Sequence, residues 1–421
     1  MYLYTENESQ DINSKWMNHL TELFKKWHLP FAPTFTHHSG IMLDFCCGLR
    51  VLLPVNKGCK KYRLQVYDFN SKLKMFDEVI DAGDYYVSEK KYFIDYGVII
   101  TDASDGREIL RHRIDCREKD VVINMPVPTM GDSIAWFSSV LAFSKKHSCQ
   151  VYAVMPEHTR CLFESDYPNI KFISADDIER IQPYASFQMG VDSTEDSAIS
   201  PVDYRQVPLH EYGAYILGLY PLEVLPGAPV LTGNYGINKP YVCISTQASG
   251  LCKMWMHPDG WEKVVGFLND SGYRVLDVDL HRKQYNGIFQ NAIPRNAEDF
   301  TGNISLRERA SLISGADFFI GLGSGLSWLA NCCDVPVVLI SGFSLPHSEF
   351  YTPYRVINYN VCHGCYSDTR YTLNPQEYDW CPKHKGTPRH FECTRGITPE
   401  MVIEKIKTIP AFQKHINKGE E

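Results

Sequence analysis

The sequence has no uninterrupted apolar run long enough to cross a bilayer. It also lacks the basic stretch followed by an apolar stretch that marks an export signal, since its first residues read MYLYTENESQDINSKW. Both absences lead us to expect a cytoplasmic protein with no membrane span. Nor is positive charge in excess. The 421 residues carry a formal net charge of -8, with Lys and Arg spread along the chain. Binding a phosphate backbone needs a concentrated basic face, so this balance argues against nucleic acid as the main partner. No Gly-Lys-Ser/Thr phosphate loop, short internal repeat or low-complexity tract is present. Hydrophobic residues at 44% and charged residues at 22% match an ordinary folded protein, and the length exceeds one ordinary domain.

From about Phe35 to Asp115 the chain shows short alternating runs, IMLDF, RVLLPV, YRLQVYDF and KKYFIDYGVIITD, broken by Gly, Asn and Asp turns. That pattern predicts a small antiparallel β unit. Near Asp120 it changes to an apolar strand, VVINMPVP, a helically spaced segment, TMGDSIAWFSSVLAFSKKH, and a second strand, CQVYAVMP. Strand, helix and strand in succession imply a parallel sheet. A second cycle runs through YVCIS, GWEKVVGFLNDSG, YRVLDVDL, FFIGLGSG, LSWLANCCD and VPVVLISG, and predicts a second doubly wound unit. Pro221, Pro226, Pro229, Gly227, Gly233 and Gly236 mark a connector between the two. The expected boundaries are 1–118 for an N-terminal region with the small β domain, 119–235 and 236–360 for two Rossmann-like domains, 361–395 for a cysteine segment, and 396–421 for a C-terminal helix. Two such units turn the carboxyl ends of their strands toward a shared cleft, which suits a reaction between two bulky substrates.

In a reducing compartment, clustered cysteines among the 14 in the chain are metal ligands or small buried hydrophobes more often than disulfides. Cys362 and Cys365 form a C-x2-C pair, followed by Cys381 and Cys393 in a turn-rich segment. Four thiolates fit a closed tetrahedral site with no position left for water or substrate, so the ion would be structural; the ligands alone do not separate zinc from iron. Asp132 follows Met130 and Gly131 where a strand gives way to a helix, and serves equally well as a general base or as a helix cap. Gly321-Leu322-Gly323-Ser324-Gly325 follows a strand and opens a helix, so free N–H groups and the helix dipole suit a diphosphate. Thr246 and Gln247 end another strand, and Lys253 follows in a loop from which an ammonium reaches leaving phosphates or simply meets solvent.

The Met130-Gly131-Asp132 loop, Lys253 with Trp255 and Trp261, the Gly323-Ser324-Gly325-Leu326-Ser327 turn and the late cysteines together resemble the bacterial autotransporter heptosyltransferases, relatives of the glycosyltransferase family 9 heptosyltransferases. The resemblance spans nearly the full length. Lipopolysaccharide heptosyltransferases share the Gly-Asp loop and the Lys-x-Trp element but lack the early β unit and the cysteine segment. What the resemblance implies is an α/β fold of the GT-B type. Its two Rossmann-like domains serve the acceptor (119–235) and the nucleotide-sugar (236–360), with the N-terminal antiparallel β unit and the C-terminal four-cysteine metal segment added. It further implies an inverting enzyme that moves heptose from ADP-heptose to serine hydroxyls of autotransporter passenger domains.

By position, the resemblance makes Asp132 the catalytic base and assigns Lys253, Thr246, Gln247, Gly323, Ser324, Gly325 and Leu326 to the donor. It makes Cys362, Cys365, Cys381 and Cys393 the ligands of one structural iron ion per subunit, with zinc as the alternative, and it implies a homododecamer. Lipopolysaccharide enzymes commonly carry Asp-Thr-Gly before Leu-Ser, where this chain has Gly323-Ser324-Gly325, so one donor-side carboxylate is missing. Two other readings keep the same features: a lipopolysaccharide core heptosyltransferase, and a non-catalytic, metal-stapled scaffold or chaperone for autotransporters.

Overall fold

Apolar tetrads such as Tyr241–Ile244, Phe319–Leu322 and Val337–Ile340 are buried at every residue, as expected of parallel strands covered by helices on both faces. The computed structural model describes residues 2–4, 22, 25–55, 60–126, 129–190, 198–221, 237, 240–285, 290–374 and 377–419. In it these tetrads form the centre of a six-stranded sheet, in the order Glu298–Asp299, Arg274–Asp277, Tyr241–Ile244, Phe319–Leu322, Val337–Ile340, Arg355–Val356, with every pairing parallel. The helices Gly260–Asp270, Leu306–Ser314 and Gly325–Cys332 connect its strands. Ser305 and Glu308 close a capping box on the second of them.

The first sheet has nine strands. Asp120–Asn124, Gln150–Val154, Ile170–Ile173 and Ala185–Gln188 pair in parallel, as the strand, helix, strand reading implies. The helix Met130–His147 covers one face with Ile134, Trp136, Phe137, Val140 and Phe143, all fully buried.

The boundary expected after residue 118 does not separate two sheets. Met42–Cys46 pairs in parallel with Ala185–Gln188 and antiparallel with Arg50–Leu52, so early strands continue the nine-stranded sheet. Val51, Leu43 and Phe45 are buried against the same core as the later strands. A fully buried ion pair ties this hairpin together: Arg50 Nη2 lies 2.5 Å from Asp44 Oδ2, and Arg50 Nη1 donates to the Pro30 carbonyl at 2.6 Å. Only the other part of the early region forms the antiparallel sheet of its own, with Lys61–Asp68, Leu73–Asp81, Tyr96–Asp102 and Glu108–Arg113 in four strands. Its alternation is visible in Tyr62, Leu64 and Val66, which turn inward while Lys61 and Arg63 face water.

The single C-terminal helix expected at 396–421 is two helices, Pro399–Ile406 and Pro410–Gly419. Thr398 caps the first by accepting from the Met401 N–H. Pro410 has no N–H to continue that helix and starts the second instead. The connector expected at about 220–240 lies largely outside the described residues. Among the described residues no helix is long and apolar enough to cross a membrane.

Candidate active site

The strand Asp120–Asn124 precedes the Met130–His147 helix, and Thr129, not Asp132, occupies the position before its first turn. Asp132 sits three positions further on. The Thr129 hydroxyl donates to the Asp132 carboxylate rather than accepting from the helix backbone. Burial raises the Asp132 carboxyl above its ordinary range, while the Thr129 hydroxyl and the Lys253 ammonium pull it back. Asp132 and Lys253, drawn from opposite sheets, are therefore electrostatic neighbours.

Two glycines bring the sheets this close. A Cβ on Gly131 would lie 3.1 Å from Trp328 Cδ1, and one on Gly325 would lie 2.6 Å from Met130 Cε and 3.2 Å from the Gly131 nitrogen. The starts of two helices, Met130–His147 and Gly325–Cys332, thus meet backbone to backbone. Their unpaired N–H groups and positive dipole ends converge on one region, which favours an anion. Ser324, the residue before Gly325, makes no side-chain cap bond, and among the described residues its buried hydroxyl has no partner. Gly323 lies against Glu349, whose Oε1 would be 2.8 Å from an added Cβ. Leu326 continues the turn, half-buried.

Lys253 ends the short turn Leu251–Lys253, half-buried, with Nζ 5.9 Å from the centre of the Phe343 ring. Thr246 is arranged differently from the donor contact expected of it. Its side chain is 1% exposed, and its hydroxyl is taken by Asp279 Oδ2 at 3.0 Å and by Asn291 Nδ2 at 2.7 Å. Gln247, half-buried, donates its side-chain amide to the His281 carbonyl and its N–H to Asp279 at 3.1 Å. The organiser of this loop is Asp279, which also accepts from the Ser245 hydroxyl and the Thr246 N–H, each at 2.6 Å.

Asp277 lies beside Asp279, with the Asp279 N–H donating to it at 3.1 Å. Burial, then the neighbouring Asp279, push the Asp277 carboxyl up to about 9. Asp279 accepts four hydrogen bonds, so the charge resides there and Asp277 holds the proton. The folded state then binds a proton that the unfolded chain releases near pH 4. Stability declines as pH rises from about 4 toward about 9. In thermal melts between about pH 5 and about pH 9, Asp277→Asn is expected to show a flatter decline than the parent protein; parallel slopes would remove the assignment.

Cys362, Cys365, Cys381 and Cys393 come together at the end of the second sheet. Burial, followed by the nearby Cys362 thiol, pushes Cys365 up to about 12, and Cys393 faces Cys381, Cys365, Cys252 and Cys362. The segment packs tightly: a Cβ on Gly342 would lie 2.2 Å from the Cys393 carbonyl oxygen. Among the described residues no three His, Cys, Asp or Glu side chains are arranged to hold a metal ion, so the thiols are neighbours rather than a formed cage. Every described cysteine is a free thiol.

Residues 178–372 match the family described as glycosyltransferase family 9 (heptosyltransferase). The autotransporter heptosyltransferase Aah of Escherichia coli is 41% identical, over 91% of this chain and 96% of its own length. The crystal structure of TibC from enterotoxigenic E. coli H10407, described as a dodecameric iron-containing heptosyltransferase in complex with ADP-D-beta-D-heptose, superposes with a TM-score of 0.86 at 38% identity, covering 92% of this chain and 99% of that one. BimC of Burkholderia thailandensis, described as an inactive autotransporter heptosyltransferase, is 33% identical over 90% of this chain and 88% of its own length.

Proposed function

As this chain belongs to the autotransporter heptosyltransferases and is a glycosyltransferase of the family 9 kind with a GT-B-like fold, we propose that it transfers heptose from ADP-heptose to serine hydroxyls of an autotransporter passenger protein in the cytoplasm. The observation that carries this reading is the meeting of the Asp132 turn with the Gly323-Ser324-Gly325 turn, which brings a carboxylate from one sheet to an anion-favouring helix start on the other.

ADP-heptose sits with its diphosphate at Gly323, Ser324, Gly325 and Leu326, where N–H groups and the orphan Ser324 hydroxyl have bonds to give. Asp132 removes the proton from the acceptor serine as its oxygen attacks the anomeric carbon from the face opposite the phosphate. The bond to the diphosphate breaks and the configuration inverts. Lys253 and the helix N–H groups stabilise the charge that develops on ADP. Thr246 and Gln247 act mainly by holding the donor loop on Asp279.

Cys362, Cys365, Cys381 and Cys393 hold one iron ion per protomer. Support comes from four thiols sharing one neighbourhood, a donor set that suits iron or zinc, and from the iron described for TibC. Four thiolates leave no open coordination position, so the bound ion supplies a cross-link. TibC is described as dodecameric, and this chain assembles in the same way.

The test is the intact mass of an autotransporter passenger domain co-expressed with this chain in bacteria. Serial heptose-sized increments are expected. Heptose found instead on purified lipopolysaccharide core oligosaccharide would reassign the acceptor. Transfer to neither would favour a non-catalytic scaffold, the reading that the inactive relative BimC suggests.

A further inference from the structure

The cysteine segment does more than pack behind the second sheet, because its residue after Cys365 packs between side chains of both halves of the molecule. Tyr366 lies in the turn Cys365–Ser367 and donates its N–H to the Phe343 carbonyl at 2.9 Å. Its ring meets Phe343 edge-on at 5.5 Å on the donor side, where Phe343 also receives Lys253. On the acceptor side it meets Tyr204 at 5.7 Å. The Asp132 and Glu349 carboxyls act electrostatically on its phenol, and Glu349 is the residue against which Gly323 lies. The ring is held on both sides.

The segment is also clamped from the acceptor side. Asp203 holds Arg205 through contacts of 2.5 and 2.8 Å, and Arg205 Nη1 donates to the Thr369 and Tyr371 carbonyls, each at 2.8 Å. His347 Nε2 meets the Arg205 carbonyl at 3.1 Å. The position of Tyr366 is thus set by both halves of the molecule.

We propose that the Tyr366 hydroxyl hydrogen-bonds a hydroxyl of the transferred sugar, making the cysteine segment a wall of the reaction centre. The proposal rests on the reading that Asp132 and the Gly323–Gly325 turn bracket that centre. A group that lies between the base and the phosphate turn is where the sugar must be. A rigid phenol beside aromatic rings offers both a hydrogen bond and an apolar surface to it.

The experiment compares the affinities of ADP-heptose and ADP for the parent protein and for Tyr366→Phe, by calorimetry, with bound iron and melting temperature as controls. The Phe variant keeps the ring contacts and loses only the hydroxyl. ADP-heptose is expected to bind roughly 10-fold more weakly, as for one lost hydrogen bond, and ADP unchanged. Equal losses for both ligands, or no loss for either, would overturn the contact, as would loss of iron with unchanged discrimination between ligands. A parent protein that binds ADP-heptose no better than ADP would instead bring down the underlying reading of the site.

Discussion

Asp132→Ala is expected to lower heptose transfer by about 10²–10⁴-fold while ADP-heptose binding stays close to that of the parent protein. The carboxylate stands in the first turn of one of the two helices whose starts meet, and it is an electrostatic neighbour of Lys253 from the other sheet. Burial raises it, which makes it a better base, while Thr129 and Lys253 act in the opposite direction and favour its charged form. Because the active form is the carboxylate, activity should rise with pH through a pKa above the ordinary carboxylate range. Lys253→Ala removes a charge that lowers this pKa, so the rising limb moves to higher pH. Rates measured with purified passenger protein across the acidic range check both. Near-normal transfer by Asp132→Ala, or lost donor affinity with normal turnover, would place the base elsewhere.

Cys365→Ser is expected to purify without iron and to melt on the order of 5 °C or more below the parent protein. A cross-link of four thiolates matters where a chain has little core of its own. The structure moderates that expectation, because Cys365, Cys381, Trp380 and Phe391 are buried in the same cluster as the strands of the second sheet. The segment shares a core as well as the proposed metal site, so the variant should lose the ion and part of its stability without unfolding. Cys252 provides the control. It is buried beside Cys381 and Cys393 but lies outside the assigned four, so Cys252→Ser should keep its iron. Metal analysis and calorimetry on both variants decide it: iron retained by Cys365→Ser and lost from Cys252→Ser would exchange the ligand set.

Residues with a local signature were legible. Val121, Val122 and Ile123, or Val337 to Ile340, announce buried parallel strands by being apolar at successive positions. The spacing of Cys362 and Cys365 announces thiols that lie near one another. Asp279 carries a readable signal, a carboxylate just beyond the end of the strand Arg274–Asp277, where doubly wound sheets place their ligand crevice. The position of Thr246 at a strand end suits a donor contact, and its hydroxyl turns inward to Asp279 and Asn291. Tyr366 had no signal beyond standing next to a cysteine.

By itself the sequence determined two doubly wound units, an alternating antiparallel stretch and a cysteine-rich segment, because periodicity, glycine turns and thiol spacing are properties of neighbours along the chain. The tertiary structure alone decided that Met42–Cys46 would extend the first sheet. It likewise decided that Asp132 and Lys253 from opposite sheets would be electrostatic neighbours, that Gly131 and Gly325 would let two helix starts touch, and that Tyr366 of the cysteine segment would come under the influence of Asp132. Each of these is a contact between residues far apart in the chain, chosen by which buried faces fit together, and no local pattern of residue types encodes such a fit.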